Sequence, residues 1–504
     1  METIKSKSRR PFDVIVVGSG AGGSAAAYRL AKAGLEILLV EKGDRLAKDA
    51  RTLSVEQVVK QGVYRSQEDW LQANGRMFRP EEYFNLGGKT KWYGAALARF
   101  SPDEFEPDAE LQCPGWPLTY AELEPHYHQV EQLLGVRTFP MEAGLQDLLA
   151  SLRRAEQAWL PAPLPLGLDP AIVDDPVEAS HFDGFASPTG RKADAERAFL
   201  SVIDKERNVT VITGNAAVDL IGDHEDAVRV SGVRMADGCA AHADAVILAA
   251  GALHSPRLLQ RYLQRHALNH LPMADNVGRF LKLHLLTAVL ALSHRPQHDL
   301  LRKTVLITHR ELPHSSIQPL GFDGELLAGL IPAAVPRIVA SAMGHRAYGF
   351  FLQTEDGSHP HNRVLDAGMP GNDGASLPRL DYSATRLRRS EAEHRRLTSS
   401  FRHGLLRAGY PNFAKRIGLA GTAHACGSLM AGTDPHRSVV NGVGQVHGMQ
   451  GLYVADGSIL PRISRVNPSL TIYAWALRVA DAILASGTGR TAQPAEVRPD
   501  EVPA

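Results

Sequence analysis

Phe12-Asp13-Val14-Ile15-Val16-Val17-Gly18-Ser19-Gly20-Ala21-Gly22-Gly23 is the stretch from which the rest of the chain can be read. Val14 to Val17 is an unbroken apolar run, the composition of a parallel strand covered on both faces. Gly18 permits a tight turn, Gly20 leaves no side chain in the path of a pyrophosphate, and Gly23 lets a helix pack close to the strand. The small residues of Ser24 to Ala33 predict that helix, its amide-bearing N-terminus turned toward phosphate, and Gly34 predicts its C-terminal cap. A second apolar run, Glu36 to Val40, ends at Glu41, a carboxylate placed to accept both hydroxyls of an adenosine ribose. Strand, glycine loop, helix, strand and acid occur in order, which predicts a dinucleotide site in a doubly wound α/β fold. The unit alone leaves NAD and FAD open; its place at the front of a long chain favours FAD.

The chain has 504 residues, enough for two or three domains' worth of core. Its 55 basic and 55 acidic residues balance, so bulk charge points to neither a nucleic-acid nor an anionic-membrane partner. Cys113, Cys239 and Cys426 lie far apart with no metal-ligand spacing, which argues against a zinc site or a disulfide framework. No metal is expected, and a reducing, cytoplasmic location fits this cysteine usage. No run of about 20 apolar residues is present, so no membrane span is expected. Ser8-Arg9-Arg10-Pro11-Phe12 superficially resembles an export signal, but the apolar run behind it is the first strand, so residues 1–10 read as a solvated leader. The tail from 487 to 504 is rich in Pro, Thr and charge and reads as flexible.

Asn85-Leu86-Gly87-Gly88-Lys89-Thr90-Lys91-Trp92-Tyr93-Gly94 can lay backbone against a flat ring. Thr119 and Glu122 form a capping-box pattern ahead of a helix over Tyr120 to Leu134. Pro161 to Val177 reads as irregular, and a helix is expected from Ala193 to Ile203. Val209 to Ile212, Val228 to Val233 and Ala245 to Leu248 read as strands, the last running into Ala249-Ala250-Gly251 and a helix opened by Ser255-Pro256. From about Leu281 to Tyr382 the pattern alternates, as in Thr287 to Leu292, and predicts a separate antiparallel sheet. Leu326 to Ala340 is apolar, interrupted by Pro332 and Pro336, and reads as a lid or as core. Arg388 to Arg407 predicts a basic amphipathic helix with a solvated charged face. Near the end come His424, Gly427-Ser428, a strand ending at Asp456-Gly457, and Asn467-Pro468 before an alanine-rich helix over Ser469 to Ile483.

Taken in order, the Gly18 loop, Gly87-Gly88, Gly115-Trp116-Pro117, the run Val246 to Leu259, Asn276-Val277-Gly278-Arg279 and the block His424 to Ile483 resemble the glucose–methanol–choline (GMC) family of FAD oxidoreductases. The resemblance covers Phe12 to about Ala485. It implies an FAD domain assembled from 11–110, 195–285 and 415–486, and a substrate domain from 111–194 and 286–414 built on a mainly antiparallel sheet. It places Val218 at the adenine end, Gly251 near the dinucleotide, and Asp456 and Gly457 by the pyrophosphate. It places the loop carrying Gly87, Gly88, Thr90 and Tyr93 along the isoalloxazine. Some family loops carry a histidine that bonds covalently to flavin; here Lys91 precedes Trp92, so non-covalent FAD is expected.

The resemblance further implies alcohol oxidation, which needs a base for the hydroxyl proton and an acceptor for the hydride. A histidine, with an ordinary pKa near ~6.5, suits the first task, and an amide can orient the oxygen without competing for its proton. His424 is expected as base and Asn467 as its partner. The substrate would be an alcohol such as a sugar, glycoside or polyol, with oxygen, a quinone or another acceptor reoxidising the flavin. A flavin-dependent lyase or light-driven flavoprotein on the same fold, and a flavin-bearing subunit of a larger complex, are the competing expectations. A homo-oligomer or a small accessory subunit is compatible with all of them.

Overall fold

The strand–glycine–helix unit that starts at Phe12 forms the middle of a sheet in the computed structural model, which describes residues 12–223, 225–329, 335–372, 375–421 and 424–487. The expected leader, the tail beyond Gly487 and the middle of the Leu326 to Ala340 stretch lie outside the described residues. Phe12–Val17 lies between Ile37–Val40 and Ala240–Leu248, parallel to both, with Val14 opposite Ile37 and Val16 opposite Ile247. Val209–Ile212 extends the sheet in parallel beyond Ile37–Val40. The strand Ala240–Leu248 serves two further partners. Its first half pairs antiparallel with Val230–Met235, and its second half pairs in parallel with Leu452–Val454. Burial follows the change: residues alternate exposed and buried up to Asp244, then Ala245 to Leu248 are all buried. A hairpin strand can keep one face wet, whereas a strand inside a parallel sheet is covered on both.

The helix Ala21–Lys32 starts earlier than expected because its glycines allow it. A Cβ on Gly22 would stand 1.4 Å from the Ala455 carbonyl oxygen, and one on Gly23 would stand 1.9 Å from that of Gly18. Gly34, at φ +89°, ends this helix as expected. The alanine-rich Ser469–Ala485 packs against it and against Tyr120–Leu133. Thr119 and Glu122 close the capping box on the latter, and its Tyr127 hydroxyl meets Thr471 Oγ1 at 2.7 Å.

A second sheet, antiparallel throughout, runs in the order Asn412–Arg416, Leu285–Leu292, Ala347–Thr354, Leu312–Pro319, Val305–His309, Trp159–Pro163. The helices Ala143–Ala155 and Arg388–Arg407 cover one face, burying Leu148, Leu152, Leu397 and Phe401 against Ile317, Phe350 and Leu352. The basic helix is therefore amphipathic as expected. Period-two alternation sends Ser316, Gln318 and Gln353 to the opposite face. Trp159–Pro163 corrects the irregular reading of Pro161 onward. Proline's missing N–H is tolerated there because the strand is an edge. The expected helix over Ala193 to Ile203 is a wide π-helical turn, Glu196–Leu200, followed by one short α-helical turn, Ser201–Ile203. A small third sheet pairs Trp70–Gln72 in parallel with Arg379–Asp381.

Candidate active site

Chain reversals at the carboxyl ends of parallel strands meet at one crevice, the usual place for a ligand in an open α/β sheet. Gly18 follows Phe12–Val17 with φ +99°, and a Cβ there would stand 2.4 Å from the Ala249 carbonyl oxygen. Gly251, φ +85°, follows Ala240–Leu248, and its N–H donates to Asp456 Oδ2 at 2.8 Å. Asp456 follows Leu452–Val454 and also accepts from Ser255 Oγ and from the Ser458 N–H. Gly457 passes its carbonyl to the Gly427 N–H at 3.0 Å. The first glycine loop meets the second: a Cβ on Gly88 would stand 3.2 Å from Gly20 Cα, and the Gly87 N–H donates to Ser19 Oγ at 2.9 Å. Ser19 in turn donates to Glu41 Oε2 from both its N–H, at 2.9 Å, and its hydroxyl, at 2.6 Å, while Glu41 Oε1 accepts from the Gly43 N–H. Burial raises the Glu41 pKa despite these donors.

The crevice suits a dinucleotide on one observation. Built Cβ atoms at Gly20 and Gly251 would meet nothing within 4 Å, whereas those at Gly18, Gly22 and Gly23 collide with backbone. The first two glycines border open space, and the others permit close packing. Thr90 and Tyr93 lie in this region but satisfy themselves within the protein. Thr90 Oγ1 donates to the Gly87 carbonyl and accepts from the Ala195 N–H, and the Tyr93 hydroxyl donates to the Ala193 carbonyl. Val218 is half-buried on Ala217–Gly222, an outer strand of the same sheet. Lys91 is held by Asp194 at 3.0 Å and Glu196 at 2.7 Å. Lys192, fully buried, donates to the Tyr93 and Phe182 carbonyls, and burial brings its pKa down to about 7. The lysine thus ties the expected flavin loop to the segment around 182–185, a role that its sequence context does not signal.

His424 and Asn467 come together from separate loops, with Asn467 Nδ2 3.4 Å from His424 Nε2. Both are half-buried, so each keeps part of its surface open. Asn467 Oδ1 accepts from Gln318 Nε2 at 2.5 Å, so the antiparallel sheet orients the amide. On the same face, Ser316 Oγ and Gln353 Nε2 both donate to the Arg465 carbonyl at 2.6 Å, pinning the loop that carries Asn467. Behind His424 stands His284, 1 % exposed, the two Nδ1 atoms 2.9 Å apart. Their meeting follows from register. Lys282 and Cys426 form an antiparallel bridge, so the residue two positions after the first faces the residue two positions before the second. Burial, then His284, Lys89 and Lys303, push the His424 pKa well below its ordinary value. Cys426 is fully buried, its thiol pushed up to about 12 by burial, as suits a small core residue. His284, Gln318 and Gln353 went unnoticed in sequence; only His284, five residues after Arg279, lay near a recognised landmark.

The family profile for FAD-dependent oxidoreductases matches residues 13–327, and that for GMC oxidoreductases matches residues 387–476. The chain is 31 % identical to 6'''-hydroxyparomomycin C oxidase of Streptomyces lividus, over 94 % of this chain and 91 % of that one. It is 29 % identical to paromamine 6'-oxidase of Streptomyces fradiae over the same shares. The crystal structure of pyridoxine 4-oxidase from Mesorbium loti has the same fold, with a TM-score of 0.67 at 19 % identity, over 94 % of this chain and 99 % of that one. Among the described residues no helix is long and apolar enough to cross a membrane. With the glycine crevice, the histidine–asparagine pair and these matches in agreement, the chain belongs to the GMC family of FAD-dependent oxidoreductases.

Proposed function

We propose that this enzyme oxidises an alcohol hydroxyl of a sugar or glycoside, with His424 as base and Asn467 as the group that orients the substrate oxygen. Two relatives, named as oxidases of 6'''-hydroxyparomomycin C and of paromamine, support the substrate class. The observation that carries the chemistry is the His424–Asn467 pair, an imidazole Nε2 and an amide Nδ2 facing each other at 3.4 Å. The depressed pKa keeps His424 neutral and able to take a proton at ordinary pH. The hydroxyl O–H bond would break as an N–H bond forms at Nε2, leaving an electron pair on oxygen that weakens the C–H bond of the carbon bearing it. Bound FAD supplies the hydride acceptor at N5. Asn467 Nδ2, aimed by Gln318, holds the oxygen without drawing on the base.

Cofactor contacts follow the same reading. The backbone of Gly20, with Gly251, Asp456 and Gly457, would border the pyrophosphate, Gly18 and Gly23 would provide the close packing that brings the loop to it, and Val218 would lie at the adenine end. Glu41 Oε1, with one donor in place, has a further lone pair for a ribose hydroxyl. Gly87, Gly88, Thr90 and Tyr93 would present backbone to the ring, since both polar side chains are already engaged. FAD would be held non-covalently, because Lys91, engaged by Asp194 and Glu196, stands where some family loops carry the histidine that bonds to flavin. Segments 11–110, 195–285 and 415–486 form the cofactor part, and 111–194 with 286–414 form the substrate part. Anaerobic mixing of the yellow holoenzyme with glycosides, polyols, and aliphatic and aromatic alcohols tests the reading. Bleaching by a glycoside or polyol, reversed on admitting oxygen or a quinone, is expected. No bleaching by any alcohol overturns it.

A further inference from the structure

We propose that His284 is a positioning residue that fixes the tautomer of His424, leaving the Nε2 of His424 bare toward the substrate. The inference deepens the reading of His424 as base and rests on it. It follows from one line of hydrogen bonds read from its far end. The Ser464 carbonyl can only accept, and it lies 2.7 Å from His284 Nε2, so that nitrogen carries the hydrogen. Burial pushes the His284 pKa down to about 4, so the ring is neutral at ordinary pH and its Nδ1 is an acceptor. His424 Nδ1, 2.9 Å away, must then be the donor. A neutral imidazole has one N–H, so His424 Nε2 keeps its lone pair, and that atom faces Asn467 Nδ2.

The anchor of the line is itself held. Ser464 has φ +69°, a left-handed backbone that a serine adopts rarely. Its N–H donates to Glu355 Oε1 at 3.2 Å and its hydroxyl to Glu104 Oε1 at 2.7 Å. Glu104 also takes the next N–H, that of Arg465, and Glu355 is clamped by Arg462 through both oxygens, at 2.6 and 2.9 Å. These two buried carboxylates over-determine the turn, which points its carbonyl at His284. Residues held this way concentrate at functional sites, where orientation matters more than local comfort. When His424 takes the hydroxyl proton, its Nδ1–H becomes a charge-assisted donor to His284, a stronger bond than in the resting state. That gain falls on the step in which charge develops, so it lowers the barrier and not merely the energy of the resting complex.

Nitrogen-15 NMR of histidine-labelled holoenzyme reads the tautomer without any substrate. His424 is expected to show a protonated Nδ1 and a bare Nε2 in the wild type, and a mixture in His284→Ala. The flavin-reduction rate of His284→Ala should fall roughly 10- to 100-fold, the scale seen when the partner of a functional histidine is lost, with KM for the alcohol little changed. His284→Gln keeps an acceptor toward His424 and a donor toward Ser464, so it should recover most of that loss. A wild-type His424 protonated at Nε2, or an undiminished rate in a folded His284→Ala, overturns the proposal. If His284→Ala does not fold, the wild-type spectrum decides alone. If the wild type is bleached by no alcohol, the assigned chemistry fails while the tautomer result still stands.

Discussion

The two large sheets build their halves of the site by different means. The parallel sheet contributes backbone: turns at Gly18, Gly251 and Asp456 whose value lies in N–H groups and in missing side chains. The antiparallel sheet contributes side-chain amides, with Gln318 and Gln353 projecting from one face to hold Asn467 and its loop. A backbone site is written in glycines and is visible in sequence. A side-chain site of this kind is written in ordinary polar residues on a half-buried strand, and nothing in the sequence separates them from solvent-facing ones.

The sharpest test of the contrast is His424, which stands between the two halves. His424→Ala should leave FAD bound and cut flavin reduction by roughly 10²- to 10⁴-fold, the usual contribution of a positioned base. The pH dependence of the wild type sharpens the assignment. Because the His424 pKa is lowered, its neutral form survives below the ordinary value of 6.5, so activity should be lost on acidification only beneath that value. An acid limb at or above 6.5 in kcat/KM would remove His424 from the role.

The parallel half can be broken in two distinguishable ways. Gly22→Ala drives a methyl into the Ala455 carbonyl and should destabilise the protein by about 1–3 kcal/mol or more, read as a lower Tm with or without FAD. Gly20→Ala adds the same methyl to open space, so apoprotein stability should stay within about 0.5 kcal/mol while FAD titration weakens. Equal effects of the two substitutions would contradict the division between packing glycines and cofactor-facing ones.

The antiparallel half should respond more gently. Gln318→Leu removes the donor to Asn467 Oδ1 and frees the amide to turn. One such hydrogen bond is worth about 1 kcal/mol, so flavin reduction should fall roughly fivefold to tenfold with the fold and FAD binding intact. Stopped-flow reduction of the purified variant reads this directly, and an unchanged rate would show that the sheet does not orient Asn467.

Much of the half built on the parallel sheet is legible in the sequence. Strand, turn, helix and acid between Phe12 and Glu41 are local events, each set by residues within a few positions of one another. The same holds for the capping box at Thr119 and the helix after Asn467. The edge strand Trp159–Pro163 was missed because its prolines argue against a strand unless its place at the sheet edge is known. The contact between His284 and His424 links residues 140 positions apart, and it exists because Lys282 and Cys426 pair in one antiparallel register. The sequence by itself determined a dinucleotide fold, because glycine spacing and local periodicity carry that information, and it pointed to a histidine and an asparagine only through their resemblance to the family's C-terminal block. Only the tertiary structure decided which nitrogen of that histidine is bare, because hydrogen-bond direction depends on a chain of partners that no short stretch contains.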